Sequence, residues 1–214
     1  MRSRPLRTVL APEGGSDVRY LSTLLGRVLE DLAGGSNSVV TVAPVRDLRN
    51  VEGYGRTLES TARSIENLRG VVEIAFVHAD GGKDPAAARR NFIEPLRGRT
   101  GVELVAVVPV KETEAWALAD GPALKRVLGE VDPTLLADRP ATVETINDPK
   151  RYLADVWAST SSRRTNGGFP FERLAEEQSL QTLTSVPAFR RLRHEVEAAL
   201  VLLGFLDEGQ RRFA

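Results

Sequence analysis

A chain of 214 residues is long enough for one sizeable core, or for one domain with a helical extension, and too short for two full domains. Lysine plus arginine and aspartate plus glutamate balance at 29 each, so no global field draws the chain to nucleic acid, and any such contact must come from a local patch. The absence of cysteine excludes disulfides, thiolate metal sites and cysteine nucleophiles, and leaves a zinc site only His78, His194 and carboxylates. The basic start runs straight into Thr8-Val9-Leu10 without a signal-peptide core, and the longest later apolar run, Ala198 to Leu203, cannot span a bilayer. The expectation is a cytoplasmic protein with no membrane contact.

Leu6 to Ala11 is short, apolar and β-branched, and reads as a first strand. Pro12-Glu13-Gly14-Gly15 leads from it into a helix that Ser16 is expected to cap, with Asp17 in its first turn. Val18, Leu21, Leu25, Val28, Leu29 and Leu32 recur near a spacing of 3.6 and mark the buried stripe of that helix. Val39 to Val45 reads as a second strand, Leu58, Ala62, Ile65 and Leu68 as a second helix, and Val71 to Val77 as a third strand. Asp84-Pro85 opens a third helix, and Val102 to Val110, almost wholly apolar, is a central strand covered on both faces. Strands alternating with helices imply a three-layer α/β fold on a mostly parallel sheet over residues 1–120. From 121 to 214 the chain turns helical, with elements expected at Pro122 to Leu128, Pro149 to Ala158, Phe171 to Glu177 and Pro187 to Leu206. These form an extension docked on the α/β core, and Ser159 to Gly168 reads as a mobile loop.

Three acidic segments stand where apolar runs end: Glu13-Gly14-Gly15-Ser16-Asp17, His78-Ala79-Asp80-Gly81-Gly82 and Lys111-Glu112-Thr113-Glu114-Ala115-Trp116. Ligands of open parallel sheets bind beyond the carboxyl ends of the strands, where Glu13, Asp80 and Glu112 or Glu114 all fall. Carboxylates gathered there suit a hard divalent cation held through oxygen. His78 and Asp80 share one side of an extended strand and would project together. Each segment also has a plain reading: Glu13 and both glutamates complement helix starts, Asp80 caps a turn, and His78 and Trp116 pack inside.

These segments resemble the bacterial DUF4276 family, which is grouped with TOPRIM-domain proteins. The resemblance covers most of the chain and includes Val110-Lys111-Glu112-Thr113-Glu114-Ala115-Trp116 through Asp120, Asn147-Asp148-Pro149-Lys150 and Ser185-Val186-Pro187-Ala188-Phe189. It implies a compact TOPRIM-like parallel sheet in which one glutamate and an Asp-x-Asp pair bind Mg²⁺ for cleavage at phosphodiesters. Glu13 corresponds to the glutamate and Asp80 to one aspartate. The second is replaced by His78 or Gly82, with Asp84 as a substitute further on, and the resemblance favours Glu114 over Glu112 as the buried carboxylate. It also implies work beside an ATPase partner in defence against phage.

The resulting expectation is a nuclease-like hydrolase in which Glu13, Asp80 and Glu114 hold Mg²⁺ or Mn²⁺, Glu13 serves as general base, and His78 binds metal or shuttles a proton. Lys111, Lys150, Arg163 and Arg164 are the expected phosphate or nucleic-acid contacts, with Arg190, Arg191 and Arg193 as further basic candidates. The alternative is a catalytically degraded binding or regulatory subunit of an ATPase complex, for which the missing carboxylate beside Asp80 speaks. A nucleotide-binding flavodoxin-like protein is disfavoured, because no Gly-x-Gly-x-x-Gly or Walker loop follows a strand, and no Ser-His-Asp signature is present.

Overall fold

A computed structural model describes residues 3–160 and 168–207. Six strands lie at Arg4–Leu6 (β1), Thr8–Ala11 (β2), Val40–Val42 (β3), Arg46–Asp47 (β4), Ile74–His78 (β5) and Glu103–Val107 (β6). All their pairings are parallel: β4, β2, β5 and β6 form one sheet in that order, and β1 pairs with β3. The helices are α1 (Gly15–Ala33), α2 (Leu58–Glu66), α3 (Pro85–Ala88), α4 (Glu114–Ala117), α5 (Gly121–Leu128), α6 (Pro149–Ala158), α7 (Phe171–Glu177), α8 (Leu180–Thr184) and α9 (Pro187–Leu202).

Period-two alternation divides the sheet between two cores. Leu10, Ile74, Phe76, Val105 and Val107 face one side, where α1 and the helices of the later half bury them. Val9, Ala11, Ala75, Val77, Leu104 and Ala106 face the other, under Leu48, Ala62, Ile65, Ile93 and Leu96. The fold is therefore α/β with three layers; α9 lies against β6 and α7 against α1. Trp116 belongs to this interior. It is fully buried, meets Phe189 edge-on at 5.5 Å and donates its indole N–H to Glu144.

Several boundaries differ from the sequence reading, each for a local reason. The expected second strand splits into β3 and β4, because the pairing offset grows by one residue between Leu6 opposite Val42 and Val9 opposite Arg46. Pro44 lies in that gap and has no N–H for the ladder, so the extra residue is absorbed as a bulge. The third strand begins at Ile74 rather than Val71, since the backbone still turns through Gly70 at φ 76°. The third helix is one short turn, continued by a π-type turn over Arg89–Ile93. The last helix stops at Leu202 because Gly204 adopts φ 68° and the Phe205 N–H bonds back to the Leu200 carbonyl, a Schellman closure. Arg4 locks that closure to β1 by donating to the carbonyls of Leu203 and Gly204 while lying over the Phe205 ring. The loop expected at Ser159 to Gly168 falls mostly on residues 161–167, outside the described residues.

Candidate metal centre

Parallel pairing of β2 and β5 brings Ala11 opposite Val77, so the segments leaving both strands emerge side by side. The first carries Glu13 and the second His78 and Asp80, which is how residues 65 and more apart in sequence meet. The Asp80 N–H donates to Glu13 Oε2 at 2.9 Å, tying the two loops together. Gly81 makes the approach possible: a Cβ there would stand 2.1 Å from the Pro109 carbonyl oxygen and 2.5 Å from that of Val110. Glycine is thus required next to Asp80 by close backbone contact from the loop after β6.

One ligand atom each from Glu13, His78 and Asp80 lies within 4.8 Å of the others. The group opens on a cavity of about 240 Å³ lined also by Tyr54, Arg56 and Phe92. His78 has a side chain with no solvent exposure, and its Nε2 faces Asp80 Oδ1 at 3.4 Å. Both atoms are buried without a hydrogen bond among the described residues. Buried polar atoms in folded proteins almost always find a partner; these two face only each other, beside the Glu13 carboxylate, and an ion placed among the three fits that arrangement. Two carboxylate oxygens and one imidazole nitrogen can hold a divalent metal, so the residues present fit such a group.

Asp17 supplies what the sequence reading did not assign. It sits in the first turn of α1, where its Oδ2 accepts the Gly14 N–H at 2.6 Å. The helix is therefore capped at Gly14, with Asp17 reaching back, rather than by Ser16. The same Oδ2 lies 3.5 Å from His78 Nδ1, and Oδ1 accepts the Thr113 hydroxyl at 3.1 Å. A carboxylate behind one ring nitrogen, with the other nitrogen facing the ligand group, is the arrangement that orients metal-binding histidines. Glu-Gly-Gly-Ser-Asp held the signal, but an acidic residue at a helix start has a sufficient local explanation.

Charge follows from this geometry. Burial alone would push the His78 imidazole down, yet the facing carboxylates of Asp17 and Asp80 outweigh it and raise its pKa to about 9 in the metal-free protein. Burial also works against the Asp17 carboxylate, but His78, the Gly14 N–H and the Thr113 hydroxyl hold it below its ordinary value. Arg56 reaches the outer oxygen of Glu13 at 3.5 Å; both side chains are largely exposed, so this pair leaves the cavity open.

The other expected site residues are distributed as follows. Glu114 stands outside the ligand group. It is 8 % exposed and lines a neighbouring cavity of about 220 Å³ with Ser16, Lys150, Trp157, Phe169 and Phe171. Burial, then the charges of Glu112, Asp17 and Asp80, push its pKa up. Glu112 instead accepts the Lys150 backbone N–H at the start of α6. Lys111 is committed to the Asn147 backbone and side-chain oxygens, at 3.1 and 2.9 Å, and braces that loop. Asp84 caps α3 by accepting the Ala87 N–H, and is not among the three clustered residues. Arg190 and Arg193 line a separate cavity, where Arg193 pairs with Asp31 at 2.6 Å. Arg163 and Arg164 lie outside the described residues.

Comparison with protein-family models, curated proteins and solved structures finds no match. The site is therefore read from its own geometry. Among the described residues, no helix is long and apolar enough to cross a membrane.

Proposed function

We propose that the chain is a divalent-metal-dependent phosphodiester hydrolase of TOPRIM-like type, with Glu13, His78 and Asp80 as the metal-holding group. One observation carries this reading: His78 Nε2 and Asp80 Oδ1, buried 3.4 Å apart and without a hydrogen bond among the described residues, converge with the Glu13 carboxylate at the carboxyl end of a parallel sheet. A divalent ion held there supplies Lewis-acid polarisation of a phosphoryl oxygen. The protein's own groups do the rest. Asp17 stands behind His78 Nδ1, which also faces the Glu13 N–H at 3.4 Å, and these contacts orient the ring with Nε2 toward the ligand group; Glu13 would take a proton from water, and Arg56 brings a cation to the cavity mouth for phosphate. An imidazole in place of one carboxylate shifts preference from Mg²⁺ toward Mn²⁺, because Mg²⁺ favours oxygen alone.

The test is incubation of purified protein with supercoiled plasmid and single-stranded DNA in Mn²⁺ or Mg²⁺, beside Glu13→Gln and Asp80→Asn. Cleavage that requires Mn²⁺ and disappears in both variants supports the hydrolase. No cleavage by any of the three proteins in either metal refutes it in favour of the second reading, a regulatory partner of an ATPase. That alternative draws on the same histidine: between Asp17 and Asp80 a protonated ring supplies the positive charge that an ion would otherwise bring.

A further inference from the structure

The cavity at Glu114 adjoins the metal group but takes no part in the phosphate chemistry above. From Glu114 the path to the metal group is short. The Thr113 hydroxyl stands 3.5 Å from Glu114 Oε2 and 3.1 Å from Asp17 Oδ1, and Asp17 meets His78 at 3.5 Å. The walls are aromatic: Phe169 packs on Phe171 at 4.7 Å and meets Trp157 edge-on at 5.8 Å, and all three rings are half-buried. Lys150, exposed on the first turn of α6, stands at the rim.

We propose that this cavity seats one unstacked guanine base of a single-stranded nucleic acid whose phosphate lies at the Glu13, His78 and Asp80 group. At about 220 Å³ it is smaller than the roughly 300–1,000 Å³ of pockets for drug-sized ligands, and so is sized for a single ring system. Half-buried aromatic rings are the surface on which proteins stack bases splayed out of a strand. The buried carboxylate decides which base. Glu114 offers acceptors, and guanine alone presents two adjacent donors, N1–H and the N2 amine, on its Watson–Crick edge. Adenine, cytosine and uracil each set a lone pair beside a donor there, and that lone pair would face a carboxylate oxygen in a site with little water. Lys150 at the mouth meets the sugar–phosphate where it leaves the cavity.

The place given to the phosphate rests on the hydrolase reading, whereas the base site rests on the cavity itself, and the two can fail separately. The experiment is calorimetric titration of the full chain with GMP, AMP, CMP, UMP and IMP in EDTA. The expected result is GMP at least tenfold tighter than AMP, CMP and UMP, and at least fivefold tighter than IMP, which lacks only the N2 amine. Glu114→Gln, its fold checked by circular dichroism, should remove that preference, and Trp157→Leu should weaken every nucleotide. Equal affinities for GMP and IMP, no GMP binding at millimolar concentration, or a preference unchanged in Glu114→Gln would overturn the proposal. GMP binding by a protein that cleaves nothing keeps the base site and removes the hydrolase. Mn²⁺-dependent cleavage with no guanine preference does the reverse.

Discussion

Replacing His78 by glutamine removes the proton-bearing ring between Asp17 and Asp80, and should erase one pH dependence of folding. In the unfolded chain the imidazole titrates near 6.5; in the folded metal-free protein the two carboxylates hold it at about 9 against the opposing effect of burial. A group whose pKa rises on folding binds its proton more tightly in the native state. Its contribution to stability is therefore fully present below 6.5 and is lost as pH climbs through 9. The interval between those values corresponds to on the order of 3 kcal/mol, lost at up to roughly 1.4 kcal/mol per pH unit. Urea unfolding of wild type and His78→Gln in EDTA, from about pH 6 to about pH 9.5, measures it, because the difference cancels titrations common to both proteins. The stability gap should be widest at the acid end and shrink steadily toward the alkaline end. Parallel profiles would mean that folding leaves the pKa of the ring unshifted, and the account of its two carboxylate neighbours would be wrong.

Asp17→Asn keeps the shape of the side chain but removes the charge behind His78 Nδ1, and should weaken Mn²⁺ binding about 10- to 100-fold by calorimetry; unchanged affinity would relieve Asp17 of any orienting role. Gly81→Ala places a methyl against two carbonyl oxygens that belong to the backbone and cannot swing away. It should cost about 1–3 kcal/mol in denaturant unfolding and lower metal affinity as Asp80 shifts, whereas a neutral result would contradict the close approach of the two loops. Phe76→Ala empties the middle of the central strand, where the ring is wholly buried, and should destabilise by about 3–5 kcal/mol. A loss below about 1 kcal/mol would place that ring outside the core.

Where the fold could be read in advance, the signal was periodic burial. The run at Val102 to Val110 is apolar because both faces of β6 are covered, although β6 lies at the edge of the sheet and not at its centre as expected. Leu21, Leu25, Val28, Leu29 and Leu32 of the expected stripe are buried by α1, while Val18 is only half-buried. Pro149–Ala158 and Phe171–Glu177 end where expected, because proline or turn chemistry marks their limits. The bulge beside Pro44 was not legible, since a run of valines gives no sign of which residue loses its ladder partner. Glu13 and Asp80 could be paired from their positions after parallel strands, a topological inference. The separation of Glu114 from them could not, because it depends on how the turn before α4 sets this residue beside the aromatic cavity and outside the clustered group. The role of Asp17 was hidden for the opposite reason: its cap was visible, and only the folded geometry shows that the same oxygen also faces an imidazole.

The unequal cover of the sheet has a consequence for biosynthesis. Leu10 and Phe76 leave the ribosome early, yet the side chains that close over their face include Phe189, Val196 and Leu200 of the last helix. At roughly 5–20 residues per second, that surface waits on the order of ten seconds after the last strand has emerged. During translation the nascent sheet must be shielded by other means, and a message truncated after the strands would yield a sticky fragment in place of a smaller working protein.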